Sequence, residues 1–140
     1  MKKNLLLFLL ACTVLFTACS DYGKKVKINE YTEVYYKGEG VTETDAKKLG
    51  DYIANTYKDS KNNKSFQLVK DSGQYVIRMV IDPEKVKDNS LDVSFMALPF
   101  LFESQVFSGN KVKLILTDNL FKDVKTFRGT GESKPDTLTK

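Results

Sequence analysis

Two apolar rhythms alternate along this chain, and their order restricts the fold more than any other feature. Residues 31–36 (Tyr-Thr-Glu-Val-Tyr-Tyr) are dense in strand formers and close at Gly38-Glu39-Gly40. The period then lengthens: Ala46, Leu49, Gly50, Ile53 and Tyr57 recur at i, i+3, i+4, i+7 and i+11, one face of a helix. Phe66 and Leu68 restore a period of two, and Asp71-Ser72-Gly73 reads as a tight hairpin turn. Tyr75, Ile77, Met79 and Ile81 share one face of the next strand, which Asp82-Pro83 breaks. After a polar connector, a second helix is predicted over about residues 90–107, stopped by Ser108-Gly109-Asn110. Val112, Leu114 and Leu116 then alternate with Lys113 and Ile115 in a last core strand.

Local signals agree with these rhythms. Thr42 is a natural N-cap for the first helix, and Asp45, three residues on, makes a variant of the capping box. Gly50 lies on the apolar stripe, where it costs about 1 kcal/mol relative to alanine. Its use there is a close approach of helix to sheet. The order strand–helix–strand–strand–helix–strand predicts an α+β fold of the ferredoxin-like, split βαβ kind (βαββαβ). That fold has an antiparallel sheet, two right-handed crossovers and both helices on one face. Leu120–Phe127 is a weaker extended segment that adds a possible edge strand, and the polar tail 128–140 reads as disordered.

The first nineteen residues have a different character. Lys2 and Lys3 precede a short apolar region, Leu5 to Leu10 plus Ala11 and Val14 to Phe16, followed by Thr17-Ala18-Cys19 with small residues before the cysteine. The run is shorter than the ~20 residues a spanning helix needs. This pattern resembles the lipobox of bacterial lipoproteins, although Phe16 stands where that family usually has leucine. The resemblance implies a signal peptide over 1–18, a diacylglyceryl group on Cys19, and an envelope location at the outer membrane. Residues 19–30 would then be the lipidated cysteine and a polar tether, and 31–127 the single domain.

Removing residues 1–18 leaves 122 residues, enough for one domain. Cys12 leaves with the signal, so no disulfide is available within the mature chain. Without Lys2 and Lys3, 20 basic residues face 18 acidic ones, which argues against nucleic acid as a partner. With no histidine anywhere and Cys19 acylated, Ser–His and Cys–His catalysis are excluded. Zinc lacks its usual ligands, calcium loops lack their alternating carboxylates, and no dinucleotide or phosphate fingerprint occurs. The chain is therefore expected to have no catalytic residues, no metal and no cofactor, and to act by binding.

Two groups of residues suggest how. Residues 95–102 (Phe-Met-Ala-Leu-Pro-Phe-Leu-Phe) form eight positions without a polar side chain inside the second helix. Leu91, Phe95, Leu98, Phe102 and Val106 already complete a stripe, so Met96, Pro99, Phe100 and Leu101 are surplus. Either Leu120, Phe121 and Val124 cover them, or they are an exposed patch for a protein partner, a second copy or the membrane surface. Pro99 should kink the helix or begin its second half. As the alternative, Tyr35, Tyr36 and Tyr75 on an open sheet face would bind cell-wall glycan.

Residues 41–52, 66–68 and 106–116 also resemble a small domain of uncharacterised bacterial proteins, of the form VT-x-x-E-A-x-x-LG-x-YL, VQL and VF-x-G-x-x-V-x-V-x-L. Asp45 replaces the usual glutamate and Ile53 the usual leucine. That family implies a domain extent of about 31–127 and no chemistry. The element order is similar to that of sporulation-related peptidoglycan-binding domains, none of whose motifs occur here.

Overall fold

The computed structural model describes residues 22–129, residue 88 excepted. The predicted signal segment, Cys19, the start of the tether and the tail from residue 130 lie outside the described residues. Six strands form one mixed sheet in chain order: β1 (Lys24–Lys27), β2 (Thr32–Tyr36), β3 (Lys64–Asp71), β4 (Gln74–Val80), β5 (Val112–Thr117) and β6 (Asp123–Arg128). Helix α1 (Glu43–Thr56) connects β2 to β3, and a 3₁₀ turn (Pro83–Val86) with helix α2 (Asp92–Gln105) connects β4 to β5. β2–β3 and β4–β5 are parallel, and the other three pairs are antiparallel.

The predicted α1 begins as expected. Thr42 Oγ1 accepts from the Asp45 N–H at 3.2 Å, while the Thr42 N–H donates to the Asp45 carboxylate at 3.0 Å. Gly50 lies against the sheet: a Cβ there would clash with Ile28 and stand 3.2 Å from Val34 Cγ2. Ser72 and Gly73 both have positive φ (50° and 81°), as a two-residue turn between β3 and β4 requires.

The strand order departs from the ferredoxin-like arrangement. Lys24–Lys27, expected within the tether, forms β1 and takes the place beside β2 that a fourth strand would need. Each crossover then steps to the adjacent position, so parallel pairs replace the split antiparallel order. Val34 contacts Gly50 of α1, and Phe127, which shares that sheet face, packs against Phe95 of α2. Both helices therefore lie on one face, as predicted. The two crossovers step the same way between strands of opposite direction, so their hands are opposite and one runs against the usual right-handed preference. The expected edge strand is β6.

The core fills the layer between this face and the helices. Val34, Leu49, Phe66, Leu68, Ile77, Leu114, Leu116 and Phe102 are fully or almost fully buried in it. Tyr52 of α1 meets Phe102 of α2 edge-on, with ring centroids 5.9 Å apart. Pro99 is buried inside one continuous helix and does not begin a second half.

Candidate functional site

Helix α2 is fixed at both ends and along one side. At its start no side chain caps Leu91; instead Lys125 Nζ of β6 lies 2.6 Å from each Asp92 carboxylate oxygen and 2.6 Å from Asn89 Oδ1. At its end the Glu103 carboxylate accepts the Val112 N–H at 2.9 Å, tying the last turn to the first residue of β5. Between them Phe95 packs on Phe127, with ring centroids 5.9 Å apart. The inner half of the helix is thus a set of fixed contacts.

The outer half is apolar as well. Val93 (80 % exposed), Met96 (51 %), Phe100 (44 %) and Leu101 (42 %) all face solvent, with Ala97 among them. Their spacing is i, i+3, i+4, i+7 and i+8, a complete second stripe. Ser94, Ser104 and Gln105 flank it, and no charged side chain lies on this half. Helix α1 offers the contrast within the same molecule. It packs in the same layer, yet its solvent side carries Lys47 and Lys48, and Lys47 pairs with Asp51 at 2.8 Å.

Of the four residues singled out on α2, the fold therefore brings Met96, Phe100 and Leu101 together and buries Pro99 on the opposite side. Val93 and Ala97 complete the stripe and escaped the sequence reading, although their spacing was legible. The expected cover does not form. Phe121 lies against Tyr22 and Tyr35 on the other sheet face, Leu120 is exposed, and Val124 packs toward the core.

The three tyrosines of the glycan alternative do not share a surface. Tyr36 pairs in register with Leu68 on the helix-covered face, and Tyr75 is buried there, stacked on Phe107 with centroids 4.0 Å apart. Tyr35 points the opposite way, as consecutive strand residues must. Burial, helped by the nearby charges of Glu43 and Asp45 respectively, raises the pKa of Tyr36 and of Tyr75.

A cleft of about 420 Å³ opens between the helices over Phe66 and Met79, with Ile53, Tyr57, Phe95 and Leu98 as walls. Lys64 at its rim is engaged by the carbonyls of Ser60 and Asn62, at 3.2 and 2.9 Å. Among the described residues no group of three carboxylate, cysteine or histidine side chains is placed to hold a metal ion. Nor, among them, is any helix long and apolar enough to cross a membrane.

A family model, AF_1994_N, described as a family N-terminal domain, matches residues 25–128. The chain belongs to the AF_1994_N family. Among the described residues, the AF_1994_N match runs from the second residue of β1 to the end of β6 and spans both helices, so it includes most of β1, which the sequence pattern had assigned to the tether. No curated protein and no solved structure matches the chain.

Proposed function

We propose that this chain is an envelope lipoprotein whose single α+β domain acts by protein–protein contact through the outer stripe of α2. The observation that carries this reading is the difference between the two helices. They pack in the same layer, but only α1 has the charged outer side of a solvated surface helix. Val93, Met96, Ala97, Phe100 and Leu101 form the pattern a helix presents to another helix. A membrane surface fits less well, because interfacial helices carry Lys or Arg beside their apolar face and this one carries serine and glutamine.

The occupant favoured is a second copy. A two-fold contact sets the stripe against itself. With no charge on it nothing repels, and Ala97 at its centre lets the two helices approach closely. Catalysis is not part of the reading, since the chain has no histidine and its mature part holds one cysteine, at the acylation position. Anchoring at Cys19, in the lipobox-like sequence, would keep the domain on the membrane.

Sedimentation equilibrium of the full-length protein in detergent tests the contact. A dimer is expected for the wild type and a monomer for Phe100→Asp. A wild-type monomer that captures a distinct protein, lost in Phe100→Asp, would keep the face and change its occupant. A monomer with no such partner would overturn the reading.

A further inference from the structure

The face of the sheet away from the helices is not bare. Tyr22 folds onto it, its carbonyl accepting from Gln67 Nε2 at 3.1 Å. The tip of the β5–β6 hairpin folds onto it from the other side. Asp118 Oδ1 accepts the N–H groups of Leu120 and Lys122 at 2.8 and 2.9 Å, and Phe121 takes a positive φ of 58°. Tyr22, Tyr35 and Phe121 then meet in a three-ring cluster with centroids 5.3–6.0 Å apart. Leu120 beside it is 64 % exposed and Tyr22 is 37 % exposed.

Strand register places Lys25, Lys27, Glu33, Arg78 and Lys113 on the same face. Of its carboxylates, Glu33 is engaged by Lys25 at 3.4 Å and the adjoining Asp123 by Arg78 at 2.9 Å, while Asp71 stands at the far end of β3 with the Ser72 hydroxyl. Lys27, Lys113 and the loop residue Lys122 leave the face basic. Aromatic and aliphatic groups ringed by lysine suit an anionic bilayer surface.

The reach of the chain selects that occupant. The sequence assigns some ten residues to a tether of roughly 33–36 Å. With Tyr22 packed and β1 starting at Lys24, only three residue steps separate Cys19 from Tyr22, about 10 Å at full extension.

We infer that this helix-free face, centred on Tyr22, Leu120 and Phe121, lies on the membrane to which Cys19 is anchored, so that α2 points away from the bilayer. The inference rests on the lipoprotein reading above. Orientation would then follow from the short reach of the anchor, and the outer stripe of α2 would be presented to other molecules, not to lipid.

Depth-dependent quenching tests it. Full-length acylated protein is reconstituted in vesicles of phosphatidylethanolamine and phosphatidylglycerol, with a fluorophore at Leu120→Cys in one sample and at Lys48→Cys, on the outer side of α1, in another. Spin-labelled lipids are expected to quench the Leu120 probe several-fold more than the Lys48 probe. Equal quenching, or the reverse order, in protein shown by mass to be acylated at Cys19 would overturn the orientation alone. Unacylated Cys19 in protein from its native membrane would overturn the lipoprotein reading and the orientation with it.

Discussion

Lys125 of β6 holds Asp92 in the first turn of α2, its ammonium 2.6 Å from both carboxylate oxygens. The pair is largely shielded, with side-chain exposures of 13 % and 25 %. It does not cap the helix, since an ammonium donates and cannot accept the first-turn N–H groups, but it neutralises the acidic first turn and fixes the helix start against the sheet edge. Lys125→Met is expected to destabilise by about 1.5–3 kcal/mol, the range for a hydrogen bond to a charged group. Urea unfolding measures it. A double-mutant cycle with Asp92→Asn should return a coupling of the same sign, and additivity would show that the pair contributes nothing.

Gly50→Ala gives the opposite of its helix propensity. In an exposed helix the change would stabilise by about 1 kcal/mol. Here the new methyl meets Ile28 and Val34, so a net loss of about 1–3 kcal/mol is expected, as for other overpacked sites. Ile28→Ala should recover part of it, read as a coupling between the two substitutions in chemical denaturation. Stabilisation by Gly50→Ala alone would contradict the close approach.

Glu103 is the second fastening of α2. Glu103→Ala removes the acceptor of the buried Val112 N–H, at a cost of about 1–3 kcal/mol for an unpaired buried donor. Hydrogen exchange at Val112 should rise with it. Unchanged protection there would mean that the carboxylate is not holding β5.

Stability should fall at alkaline pH and only there among the shifted groups. Tyr36 and Tyr75 are harder to ionise in the fold than in the unfolded chain, chiefly through burial. The charge of Glu33, foremost among its causes, likewise raises the pKa of Lys25. All three folded values are raised. Their contribution is therefore complete below the unfolded values, about 10, and lost as pH rises through the folded ones. Thermal melts from neutral pH upward should be level and then drop, and Tyr75→Phe should flatten part of the drop. A rise in stability over that range would contradict the assignment.

Much of the layer was legible in the sequence. Thr42 with Asp45, the α1 stripe, the turn at Ser72-Gly73 and the alternation of β5 each follow from local chemistry that the fold keeps. The use of Gly50 was legible too, because a glycine on a buried stripe gives up helix stability and contact area that only a close neighbour returns. Sheet order was not. Residues 24–27 (Lys-Lys-Val-Lys) have too much charge to read as a strand, yet this edge strand needs one inward residue, Val26, and its lysines stay in water. Once β1 is missed, the split arrangement is the natural guess. The tyrosine alternative failed on a simpler point, since adjacent Tyr35 and Tyr36 cannot face the same way in a strand. The surplus on α2 was visible as composition, but its cover depended on where one hairpin tip folds. Periodicity says nothing about that, and Phe121 went to the other face.

The outer stripe of α2 is most directly tested by a cysteine at its centre. In the mature chain acylated at Cys19, Ala97→Cys supplies a single free thiol at the point where two stripes would cross. Disulfide formation requires Cα atoms within about 7 Å. Mild oxidation of the full-length protein in its native membrane should link two copies through Ala97→Cys and not through Lys48→Cys on α1. Equal linking at both positions, or none at Ala97→Cys while the wild type sediments as a dimer, would show that the copies meet elsewhere.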